Sequence, residues 1–320
     1  MSKVKRFVRR RRHDAAYALA LGAGTLGRHL ARSPGLALFA RLGELVYALP
    51  SAHKERTRRN LATVYGQRWS PDTIERTARD VYRHLAMNLF DAVHLQRLSD
   101  TAFGTIVHPE SADTRAMFER IYGEGRGVVA LTGHIGCFEM LLPLVARRWK
   151  CPAFAVGQQL FDPRIDRLVA QARSGANMDY IRRTDNPRAI IRLLREGRTF
   201  GALIDQDTNV EGVFARFLGR PAYTPCGPVK LAMKYRIPVV VFTTARQPDN
   251  THRVFVSDRL VLKDTGNKGG DLVENVESAN ELLCATIERF PPQWVWMHRR
   301  WRKKPDDSRY RHVPGARGGS

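Results

Sequence analysis

Gly127-Val-Val-Ala-Leu-Thr-Gly-His-Ile-Gly-Cys-Phe-Glu-Met140 is the stretch that decides the fold of this chain. Residues 127–132 form a short apolar run without alternation, which predicts a strand buried on both faces and hence a sheet covered by helices on either side. A helix is predicted over 137–149, and Gly133 and Gly136 permit a tight turn between the two that carries His134. In an open α/β sheet the turn beyond a strand's carboxyl end is where ligands bind, and the following helix start offers free N–H groups to an anion or oxyanion. Two side chains five apart on one regular helix point about 140° apart, so His134 and Glu139 can meet only if His134 stands in the turn.

Outward from this stretch the alternation continues. Strands are predicted over 152–156, 199–204, 238–244 and 252–256, and helices over 163–173, 187–196 and 272–289. This is an α/β fold with a mixed central sheet flanked by helices, mixed because the late strands adjoin without an obvious helix between them. Upstream, 51–98 reads as helical, with Ser70-Pro71-Asp72 as the start of a long helix. Towards the end, the spacing of Trp294, Trp296 and His298 suggests a strand, with Trp301 close behind. The chain divides into a basic head and apolar segment over 1–34, one catalytic domain over 35–303, and a basic tail rich in Gly and Pro over 304–320.

The head carries Lys3, Lys5, Arg6, Arg9, Arg10, Arg11 and Arg12 without an acid, followed by a charge-free stretch of 13 residues, 15–27. A spanning helix needs about 20 apolar residues, so this one fits an N-terminal helical region lying in a membrane interface. Across the chain, 53 Lys and Arg stand against 31 Asp and Glu, a net +22. A field of that sign suits nucleic acid, an anionic leaflet, a phosphorylated substrate or an acidic carrier protein. The four cysteines, Cys137, Cys151, Cys226 and Cys284, include no C-x-x-C pair, which argues against a disulfide framework or a zinc site and for a reducing cytoplasm.

A histidine with a nearby carboxylate and no serine nucleophile suits direct proton abstraction from an acceptor hydroxyl, the carboxylate fixing the tautomer and stabilising the imidazolium. On that reading Glu139 is the partner of His134. The block His134-Ile-Gly-Cys-Phe-Glu139 resembles the H-x-G-x-x-E motif of the lysophospholipid acyltransferase family, in the branch that adds secondary acyl chains during lipid A biosynthesis. Three further blocks resemble that branch in the same order: Asp205-Gln-Asp207, the segment 212–224, and the segment 292–301 with its W-x-W-x-H. Asn60-Leu61 after a basic helix matches as well. The resemblance runs over about 35–303 and implies a glycerolphosphate-acyltransferase-like fold. It also implies transfer of a fatty acyl chain from acyl carrier protein or acyl-CoA to a lipid hydroxyl, without a cofactor or metal, at the cytoplasmic face of the inner membrane.

The resemblance makes His134 and Glu139 the catalytic pair. Asp205 and Asp207 then face the cleft, Phe214 and Phe217 with Gly219 and Arg220 form an acyl groove with a basic mouth, and Arg164 or Arg173 meets a headgroup. The chain departs from the family pattern at Cys137-Phe138, where Asn-Trp is usual, and at Gln158, where an arginine is common. Two other readings stand beside this one. Asp205 and Asp207 also have the spacing of a D-x-D metal site in a glycosyltransferase, or of simple turn formers. The basic balance also suits a nucleic-acid-binding protein, though no zinc-finger spacing, RNP-like segment or basic heptads accompany it.

Overall fold

The computed structural model describes residues 22, 24–25, 29–111, 113–157, 178–182, 188–310 and 312–315. The basic head, most of the apolar stretch 15–27, the expected helix over 163–173 with Arg164 and Arg173, and Gln158 lie outside the described residues. The helical entry consists of α1 (Arg32–Ala48), α2 (Ala52–Tyr65) and α3 (Pro71–His94). Ser51 and Ser70 cap α2 and α3 by accepting from the N–H groups of Lys54 and Thr73, and Pro71 opens α3 where a missing N–H is harmless. The chain then alternates through α4 (Asp100–Gly104), β1 (Val107–Pro109), α5 (Asp113–Tyr122), β2 (Val128–Thr132), β3 (Ala153–Gly157), β4 (Met178–Arg182), α6 (Arg188–Arg195) and β5 (Thr199–Leu203). A hairpin, β6 (Gly212–Phe217) and β7 (Arg220–Pro225), precedes α7 (Gly227–Tyr235), β8 (Val239–Arg246), β9 (His252–Val256) and α8 (Lys268–Arg289).

Seven strands form one sheet in the order β1-β9-β8-β2-β5-β3-β4. It is mixed as expected, because β8 and β9 pair antiparallel while β8, β2, β5, β3 and β4 run parallel. The central strand β2 is buried at every residue, and its side chains alternate between two cores. Val129 and Leu131 pack on the side of α6, α7 and α8, whereas Val128 and Ala130 pack on the side of α4, α5 and the segment after His134. Absence of alternation in the sequence thus reflects two buried faces.

Two sequence expectations, a helix and a strand, need correction. The helix expected over 137–149 is broken into a 3-10 turn (Phe138–Met140), a short α turn (Leu141–Pro143) and a π turn (Leu144–Arg148). Pro143 supplies the reason: it has no N–H to give and its ring crowds the preceding turn. The strand expected near the terminal tryptophans is a 3-10 turn (Pro291–Gln293) followed by extended chain that makes one bridge, Ile135 to Trp294. Trp294 and Trp296 lie fully inside the protein. Gly219, expected at a substrate groove, is half of the tight turn joining β6 to β7, where Leu218 and Gly219 both take positive φ. No helix among the described residues is long and apolar enough to cross a membrane.

Candidate active site

β2 and β5 are parallel neighbours in register, Thr132 opposite Leu203, so the residues just past each strand stand side by side. That places His134 against Asp205. The imidazole Nδ1 lies 2.7 Å from Asp205 Oδ1, while the backbone N–H of His134 donates to Oδ2 at 2.6 Å and the indole N–H of Trp294 donates to the same oxygen at 2.8 Å. Asp205 is wholly buried. Burial alone would raise its pKa, but His134 and the hydrogen bonds outweigh burial and hold the carboxyl well below the ordinary range. An ionised Asp205 fixes the proton of His134 on Nδ1 and leaves a lone pair on Nε2, on a side chain 20% exposed.

The carboxylate at His134 Nδ1 is Asp205, where the sequence led to Glu139. Glu139 stands half-buried in the 3-10 turn that follows the His134 loop. The sequence reading favoured nearness along the chain, whereas the pair forms across the sheet.

Two residues in the quoted blocks were given no part by the sequence and meet at the base. The Gln206 amide nitrogen is 2.9 Å from His134 Nε2 and 2.8 Å from His298 Nε2, so its two N–H groups can serve both rings at once. Burial, then the neighbouring His134, push the His298 pKa down to about 4, which keeps it a neutral acceptor. Phe138 closes the other side, its ring edge-on to His134 at 4.8 Å between centroids.

Asp207 lies away from this centre. Its side chain is fully buried and bonds the Arg302 guanidinium at 3.0 Å and the Lys303 N–H at 2.8 Å, which clamps the segment after Trp301. The two carboxylates of Asp205-Gln-Asp207 thus have separate partners and do not converge as a D-x-D ligand pair. Among the described residues no three His, Cys, Asp or Glu side chains gather as a metal site. Phe214 and Phe217 are interior, in different cores: Phe214 against Tyr223 and Val313, Phe217 against Trp294 beneath the guanidinium of Arg300. Arg220 is exposed and donates to the Thr63 carbonyl. Cys137 is buried with its Sγ towards the Asn88 carbonyl, and burial pushes its thiol well above the ordinary range.

Residues 4–303 match the bacterial lipid A biosynthesis acyltransferase family. No curated protein matches the chain.

Proposed function

The chain belongs to the bacterial lipid A biosynthesis acyltransferase family, and from that premise we propose that it moves a fatty acyl chain from an acyl thioester to a hydroxyl of a lipid A precursor. The observation that supports a mechanism is the 2.7 Å contact between His134 Nδ1 and the buried Asp205. An acceptor hydroxyl takes the place of the Gln206 amide at Nε2. The imidazole removes its proton as the oxygen attacks the thioester carbonyl, and the ion pair with Asp205 stabilises the imidazolium that forms. Collapse of the tetrahedral intermediate expels the thiolate, which recovers the proton from Nε2. Attack is direct, because Cys137, three residues past His134, is buried and burial holds its thiol well above the ordinary range.

Glu139, half-buried in the 3-10 turn five residues past the base, is assigned to orienting the acceptor. The net +22 suits either an acidic acyl carrier protein as donor or the cytoplasmic face of an anionic inner membrane as workplace.

Purified full-length protein, an acyl thioester and a lipid A precursor provide the test, with product read by mass spectrometry. His134→Ala should lower turnover at least about a hundredfold. Asp205→Asn, which removes the charge and frees the tautomer, should lower it by on the order of 10³ to 10⁴. A folded His134→Ala protein that keeps more than about a tenth of wild-type turnover would falsify the assignment of the base. Running acyl carrier protein and CoA thioesters side by side identifies the donor.

A further inference from the structure

Helix α1 has two apolar faces and only one of them has a partner. Leu36, Phe39, Ala40, Gly43 and Tyr47 are buried, mostly against α3, where Phe90 and Tyr82 receive them. Leu38, Leu42, Leu45 and Val46, with Leu49 just beyond the helix, are exposed; Leu45 is 64% and Leu49 is 62% accessible. At 100° per residue the exposed set is centred about 130° round the helix from the buried set. An amphipathic helix docked on a core by one face should be polar on the other. Here a contiguous row of large apolar side chains faces outward instead, the kind of surface that marks an interaction site.

One flank of that row is basic. Arg41 and Glu44 border a cleft of about 580 Å³ between α1, α2 and α3, into which Lys54, Arg76, Arg79 and Arg83 also project. Five basic side chains there stand against three acidic ones. An apolar row beside a basic cleft matches the two layers of a bilayer surface, acyl chains below and phosphates above. The sequence ahead of α1 adds seven Lys and Arg between positions 3 and 12.

We propose that this face of the folded domain is a docking surface for an anionic lipid bilayer, with Leu42, Leu45 and Leu49 entering the acyl boundary and the α1–α3 cleft holding headgroup phosphates. The surface is built into the domain and is separate from the basic head. In α3, the Asn88 carbonyl that receives Cys137 Sγ ties this helical layer to the His134 loop. The inference draws on the lipid acceptor proposed above, but vesicle binding can be read without turnover.

Flotation with phosphatidylcholine vesicles, with and without phosphatidylglycerol, tests it on full-length protein. Leu42→Glu with Leu45→Glu should weaken partitioning by on the order of a hundredfold on both vesicle types, the value of two leucine transfers. Arg76→Glu with Arg79→Glu should remove the increment due to phosphatidylglycerol and leave the rest. Should the glutamate pair fail to fold, Leu45→Ser with Leu49→Ser, on the most exposed part of the row, repeats the measurement. Turnover on detergent-dispersed acceptor should survive in all variants, which separates a failure of docking from a failure of the acyl-transfer reading. Binding unchanged in the leucine variants would overturn the proposal by placing the contact elsewhere. So would a dimer in sedimentation that the leucine changes dissolve, because the row would then belong to a second copy of the chain.

Discussion

The proposed mechanism requires the Nε2 atom of His134 to be a free acceptor, yet the Gln206 amide occupies it at 2.9 Å. An N–H that donates to this lone pair holds the ring in place. The second N–H is anchored on His298, whose own neutrality is secured by burial. Gln206 is thus a positioning residue with a readable effect. Gln206→Ala should lower kcat by about five- to tenfold, the worth of one hydrogen bond, with Tm unchanged. An unchanged kcat would sink this reading. The sequence placed Gln206 inside its D-Q-D block but gave it no role, since an uncharged amide between two carboxylates offers no signature of its own. Asp205 was visible as a candidate, and what could not be seen was which ring nitrogen it would meet.

At the scale of elements, the catalytic loop is a strap between β2 and the broken helix, fastened to the terminal block. Gly136 N–H donates to the Gln293 carbonyl at 2.9 Å, Val295 N–H donates to the His134 carbonyl at 3.2 Å, and Ile135 bridges Trp294. Gly136 has φ +56, and a Cβ there would come within 2.1 Å of the Thr244 carbonyl oxygen. Gly136→Ala should therefore lower stability by at least about 2 kcal/mol and Tm by on the order of 5 °C, with a matching loss of turnover as the loop shifts. Gly219→Ala is the control: its φ is +74 but the space beside it is open, so it should cost about 1 kcal/mol and keep turnover. Equal effects of the two changes on turnover would argue against the strap. The individual strands β2, β3, β5, β8 and β9, and helices α3, α6 and α8, were legible from apolar runs and caps. Their spatial order was not, because β5 reaches β2 past β3 and β4, and nothing in local pattern encodes that choice. The break in the helix over 137–149 was not legible, because its composition suits a helix while Pro143 interrupts the backbone bonding.

Across the whole molecule, the helical entry is joined to the sheet by a buried polar junction. Asp91 of α3, fully buried, receives Arg32 of α1 at 2.9 Å through both its oxygens and His252 of β9 at 2.8 Å, and forms an ion pair with Arg246 of β8 at 2.8 Å. Burial would raise the Asp91 pKa, but the His252 and Arg32 hydrogen bonds and the Arg246 charge hold it well below the ordinary range. Burial pushes His252 down to about 4 against the pull of Asp91, and burial, then the charge of Arg246, bring nearby His84 to about 4 as well. Their folded values lie below the unfolded value of about 6.5, so between those limits the unfolded chain binds more protons. Stability from this source is complete above about pH 6.5 and is lost as the pH falls towards 4, with His298 adding to the same loss. Tm measured from about pH 7.5 down to about 4.5 should therefore decline steadily, by an amount equivalent to at least about 2 kcal/mol in all. A flat profile over that window would show that these histidines are not held neutral by the fold. Asp91→Asn tests the junction itself: it leaves the buried guanidinium of Arg246 and the part-buried one of Arg32 without their counter-charge, which should cost about 3 kcal/mol at neutral pH. Loss on that scale would loosen α1 and α3 before the sheet itself melts, and since Tyr47, Val81 and Tyr82 of those helices share a core with Trp294 and Trp296, tryptophan fluorescence should change at a lower temperature than the far-ultraviolet signal of the remaining fold.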